Sequence, residues 1–206
     1  MLEILILIAA AVIFRRQLLA YGASAAPPSA AAALAPRRLS PQLVQLVDYA
    51  DRLYAEKKWL AAEKAYLNVL KLDHKHVTAY SHLGIIYSTQ KNLADAIECF
   101  QIAVRLRPSA STHQNLGLAY YENRNYMKAI ATFEKAIMFE PSAARYLTLS
   151  KAYRKINDTA HALTALERAA ELDSSPRVLE QLIEGYRGTG RSAEAEAVQR
   201  RLTPTP

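Results

Sequence analysis

Apolar residues recur along most of this chain in two interleaved phrases. "YSHLGIIY" (80–87), "HQNLGLAY" (113–120) and "YLTLSKAY" (146–153) follow one another at an offset of 33 residues, each with a leucine and a tyrosine four positions apart. Residues at i and i+4 share one face of a helix, so each phrase predicts a helix with one apolar side. A second phrase comes after each: Ala96 and Phe100 before Pro108, Ala129 and Phe133 before Pro141, Ala162 and Leu166 before Ser174. These predict a second helix per unit, stopped near the proline because the residue ahead of a proline disfavours the helical region. No unit buries its apolar face alone. A period of this size with two helical patterns inside it predicts an all-α solenoid, in which stacking makes the core continuous.

The recurring residues resemble the tetratricopeptide repeat family, whose pattern is an aromatic-x2-Leu-Gly-x2-Tyr, an Ala-x3-Phe and a closing Pro over about 34 residues. Repeats 77–110 and 110–143 match it nearly in full. Repeat 43–76 is looser, with Leu46, Tyr49, Ala50 and Leu53, then Trp59, Ala62 and Tyr66, and His74 in the proline slot. Repeat 143–176 has Ser150 for the glycine, and repeat 176–206 keeps Leu182, Tyr186 and Ala195 but has Ile183 and Gln199 at signature positions. The resemblance covers about four fifths of the chain and implies a solenoid of about five helix-turn-helix repeats over 43–206. "RSAEAEAVQRR" has the polar character of a capping helix, and "GTG" (188–190) suits the turn ahead of it. Nine of the twelve tyrosines fall in signature packing slots, which removes most of the aromatic surface a single-strand nucleic-acid binder needs.

The N-terminus has a different pattern. Met1 to Phe14 is apolar except for Glu3 and covers roughly 21 Å as a helix, and extension through Arg15 and Arg16 to Ala20 reaches about 30 Å, the thickness of a hydrocarbon core. Residues 1–20 are therefore expected to form a short membrane anchor, with both arginines reaching back to the interface. A signal peptide carries its positive charge before the apolar stretch, whereas here it follows, although "ASA" (23–25) has the spacing of a cleavage site. An interfacial or partner-docking helix is the other alternative. With Arg37 and Arg38 on the same side, the positive-inside rule places the repeats on the cytoplasmic side of the cell membrane. Residues 21–42, rich in Ala, Pro and Ser, read as a linker.

Net charge changes the picture little: of the formal +7, residues 43–206 carry only +4, too diffuse to announce nucleic-acid binding. The single cysteine, Cys99, excludes an internal disulfide and reads as a small packed hydrophobe. Five histidines are scattered over turns and helix faces, and "HKH" (74–76) lacks the cysteine or carboxylate partners of a metal site. No catalytic motif is present, so neither enzyme activity nor a cofactor is expected.

The resemblance implies a concave groove lined by the first helix of each unit, chiefly through repeat positions 2, 5, 9, 12 and 13. Carried onto this chain, the set starts with Val44, Val47, Asp51, Tyr54 and Ala55. It becomes apolar around Ile85, Leu118, Tyr121 and Leu147, with Gln114 among them, and basic at Lys151, Arg154, Lys155 and Arg177. The carboxylate clamp of chaperone-binding members is absent, since Asn115 fills one of its slots but Ser81, Ile85, Ala144 and Thr148 stand at the others. The resemblance implies an adaptor binding a protein or peptide, membrane-tethered if residues 1–20 form the expected anchor; the late end reads equally as a site for an acidic ligand or as a solvated helix face, since Glu180 and Glu184 partly neutralise its cations. Electrostatic binding of anionic lipid or nucleic acid by the late basic cluster, and self-association, are the alternatives.

Overall fold

The computed structural model describes residues 40–202. The expected anchor (1–20), nearly all of the linker and the final "TPTP" lie outside the described residues. Among the described residues no helix is long and apolar enough to cross a membrane.

Among the described residues ten helices follow one another in pairs. They are α1 (Pro41–Ala55) with α2 (Trp59–Leu72), α3 (Val77–Thr89) with α4 (Leu93–Leu106), α5 (Ala110–Glu122) with α6 (Tyr126–Phe139), α7 (Ala143–Lys155) with α8 (Thr159–Leu172), and α9 (Pro176–Gly188) with α10 (Ser192–Leu202). Each helix touches the next, and α5 also touches α3 across units, as expected when the first helices line the inner side of a curved stack. The second helices end two residues ahead of Pro108 and Pro141. α1 starts at Pro41, inside the expected linker: the Ser40 side chain accepts the Leu43 N–H at 3.1 Å, and proline at the first helical position has no N–H to leave unpaired.

One loop serves all five units. The amides of Lys58, Asn92, Asn125, Asp158 and Arg191 donate to the carbonyls of Leu53, Tyr87, Tyr120, Tyr153 and Tyr186 at 2.9 to 3.0 Å. The residue before each donor, Lys57, Lys91, Arg124, Asn157 or Gly190, sits at positive φ, between 56 and 76°. This is a Schellman ending, which satisfies the carbonyls that the last turn of a helix leaves free.

The core runs from unit to unit through side chains of complementary size. A Cβ on Gly84 would lie 2.6 Å from the Phe100 ring, and one on Gly117 would lie 2.5 Å from Phe133. Where the slot widens to Ser150, the facing residue shrinks to Leu166, and both are buried. In the first unit Ala50 and Tyr66 form the equivalent pair, both fully buried. Tyr49 departs from its expected packing slot and is 49% exposed. Its equivalent, Leu83, packs with Tyr66 and Leu70 of the unit before it, and no described helix precedes α1 to do the same for Tyr49.

Candidate peptide-binding groove

The sequence-predicted groove residues all lie on the first helices of the units, with unequal exposure. Leu118, on α5, is 40% exposed. Ile85, on α3, is half-buried against Phe100 and Leu116, and Tyr121 is half-buried with its ring edge-on to Tyr126 at 5.4 Å. Leu147 is 7% exposed and packs with Leu163, Leu166 and Leu179, so it is a core residue rather than the open contact the sequence predicts. Gln114 is half-buried, and its Oε1 has no hydrogen-bond partner among the described residues.

The late end carries the charge. Lys151, Arg154 and Lys155 are all exposed on α7, and Arg154 donates to Glu184 of α9 at 3.0 Å. Lys151 and Lys155 form no ion pair among the described residues. Arg154 and Lys155 also lie in the last turn of α7, where the partial negative charge of the helix end favours cations. Arg177 has no such support: it is exposed in the first turn of α9, where the helix end is partially positive.

The early end holds a network that sequence reasoning did not anticipate. The Tyr66 hydroxyl, reaching in from α2, donates to Asp51 Oδ1 at 2.6 Å and lies 2.6 Å from His82 Nδ1. One phenolic hydrogen cannot serve both, so the arrangement that satisfies every atom has Nδ1–H of His82 donating to Tyr66 Oη. Tyr54 stacks on the His82 ring at 4.3 Å and 16°. Burial pulls the His82 pKa down, against the opposing pull of Asp51. Burial, then the Asp51 carboxylate, pushes the Tyr66 phenol up. Asp51 and Tyr54 belong to the predicted inner-face set, but Tyr66 and His82 lie on two further helices and share no motif with them. The only sequence signal is that His82 adjoins an inner-face position, Ser81.

Cys99 packs against the core of the first two units, and burial pushes its thiol up to about 12. His76, from the "HKH" turn, caps α3 by accepting the Ala79 N–H on Nδ1 at 3.1 Å. Among the described residues, no three His, Cys, Asp or Glu side chains gather as they would around a metal ion.

Family models described as tetratricopeptide repeat match residues 48–111, 110–142 and 143–176. A curated relative, the transcription factor tau 131 kDa subunit of Saccharomyces cerevisiae, is 32% identical over 73 residues. That stretch is 35% of this chain but only 7% of the relative, so the likeness concerns a small part of that protein. Among solved structures, a MamA protein superposes with a TM-score of 0.70 at 25% identity, over 79% of this chain and 90% of that one. The fold likeness extends to MamA 41-end from Desulfovibrio magneticus RS-1, with a TM-score of 0.69 at 15% identity over 78% of this chain and 93% of that one. YrrB, described as a TPR protein with an unusual peptide-binding site, gives 0.64 at 16% identity over 77% and 85%. With the repeats matched unit by unit and the helix pairs stacked as these proteins stack theirs, the chain belongs to the tetratricopeptide repeat family.

Proposed function

We propose that this protein is a non-catalytic adaptor whose first helices bind an extended or helical segment of a partner protein, with the acidic part of that segment at α7. The observation that carries this reading is the placement of Lys151 and Lys155. Both are exposed and free of ion pairs among the described residues, one unit beyond the partly exposed apolar pair Leu118 and Tyr121. Apolar anchors supply affinity, and charge beside them selects the partner. The family's fold is that of protein-interaction scaffolds, and YrrB, which shares the fold, carries a peptide-binding site.

Residues 1–20 complete the proposal as a membrane tether, with the repeats facing the cytoplasm. Purely electrostatic binding of nucleic acid or lipid at the late cluster is the weaker reading, because Arg154 is already paired with Glu184. The test is a pull-down with the full chain, repeated with Lys151, Arg154 and Lys155 changed to glutamate. A specific acidic partner is lost while helicity is kept; an unchanged set of partners overturns the groove assignment. Deleting residues 1–20 is expected to release the protein from sedimented membranes without changing that partner.

A further inference from the structure

The five Schellman loops recur along the array at the ends of the first helices, and their left-handed residues are not alike. In the fourth and fifth units the residue is Asn157 and Gly190, types that adopt this backbone at low cost. In the first three units it is Lys57, Lys91 and Arg124, at φ 56, 63 and 58°. A long cationic side chain gains nothing from this conformation, so its recurrence in three successive units points to a use for the charge. All three are exposed. Lys91 lies 3.7 Å from Glu122, while Lys57 and Arg124 form no ion pair among the described residues.

Apolar side chains protrude beside two of these cations. Leu60 and Met127, the second residues of α2 and α6, are 65% and 66% exposed. Each follows a half-buried aromatic, Trp59 or Tyr126, and borders a shallow depression of about 400 Å³ in the first unit and 410 Å³ in the third. The same two places hold Thr159 and Ala160 in the fourth unit and Ser192 and Ala193 in the fifth. A left-handed cation and a protruding apolar residue are thus combined in the first and third units, a combination that the fourth and fifth units lack. The carboxylates nearby are engaged locally: Glu56 pairs with Lys58 at 2.7 Å, Asp95 accepts from Asn92, and Asp158 contacts His161.

We propose that this edge, from the first to the third unit, docks on the surface of a bilayer containing anionic lipid. Tryptophan and tyrosine suit its headgroup layer, with an apolar body and one polar atom, and lysine and arginine complement its negative potential. The surface shares no residue with Lys151 and Lys155 or with residues 1–20, and although Trp59 and Tyr126 pack edge-on to Tyr54 and Tyr121 of the groove, docking there orients the array and leaves the basic late end open to a partner.

Trp59 is the only tryptophan in the chain and therefore reports on the edge directly. The full-length protein is titrated with phosphatidylcholine vesicles, with and without phosphatidylserine, and its emission is followed with and without brominated lipid. The expected result is a blue shift and bromine quenching that need phosphatidylserine and weaken with salt. The triple variant Lys57→Gly, Lys91→Gly, Arg124→Gly separates charge from strain: it gains thermal stability while its vesicle affinity falls about tenfold or more. An unchanged affinity in that variant overturns the proposal. So does a protein that sediments with vesicles while Trp59 stays unquenched, which assigns the binding to the N-terminal segment. Soluble polyglutamate that shifts Trp59 as strongly as the vesicles at equal salt also overturns it, in favour of an acidic protein partner.

Discussion

At the residue scale, the glycines of the repeated phrase test the packing most sharply. Gly117 faces a Phe133 ring that is itself fully buried, so the ring has nowhere to retreat when a methyl group arrives 2.5 Å away. Gly117→Ala is therefore expected to destabilise the fold by about 1 to 3 kcal/mol, despite the better helix propensity of alanine. Gly188→Ala is the control, since nothing lies within 4 Å of the added carbon and the change is neutral or slightly stabilising. Urea midpoints of the two variants measure the contrast. His82 gives a second prediction, in pH. Its folded-state pKa is lowered chiefly by burial, so on acidification the unfolded chain takes up the proton first. The stability tied to neutral His82 is present above its ordinary value near 6.5 and is lost as pH falls through and below it. The wild type should thus lose more stability between about pH 7 and pH 5 than His82→Gln does; parallel losses would show that the His82 ring does not titrate against folding.

At the element scale, the helices were legible because leucine, tyrosine and proline recur at fixed offsets, and each offset has one physical meaning. Their starts were less legible. Ser109 and Ser142 follow the prolines and cap α5 and α7, but Ser40 does the same work at a boundary that composition alone assigned to the linker. A cap depends on one side chain and one amide, a signal too short to stand out in an Ala- and Pro-rich run. The Asp51–Tyr66–His82 network was illegible for a related reason. It joins three helices through single side chains, whereas periodicity reports only faces. α5 carries the fullest cap, with Ser109 accepting the Thr112 amide at 3.2 Å and Thr112 Oγ1 accepting the Ser109 amide at 3.0 Å. Ser109→Ala is expected to cost about 1 kcal/mol, near the usual loss for an N-cap. Thr112→Val removes the reciprocal half, and thermal melts of the two single variants and the double variant measure how far the halves depend on each other.

At the scale of the whole molecule, the buried residues fall into clusters that each involve neighbouring units only. One joins Leu43 and Tyr66 to Leu83 and Ala103, and another joins Leu147 and Leu166 to Leu182 and Val198. No single core holds the array together, so its stability is a sum over units and the interfaces between them. The last described helix is the most thinly held: α10 buries only Ala195 and Val198. Leu182, 4% exposed, ties α9 to the cluster below it. Leu182→Ala removes about 2 to 5 kcal/mol of packing, more than a thin terminal unit holds in reserve. Hydrogen exchange should therefore show α9 and α10 losing protection first and α7 and α8 partly, with α1 to α4 retaining wild-type protection. A uniform loss along all ten helices would mean that the array unfolds as one cooperative block. In that case the lysines of α7 would gain no independence from the early end, and a partner bound there would stabilise every unit equally. Local loss has the opposite consequence: an acidic segment seated on α7 and α9 would stiffen the end of the array that otherwise opens most easily.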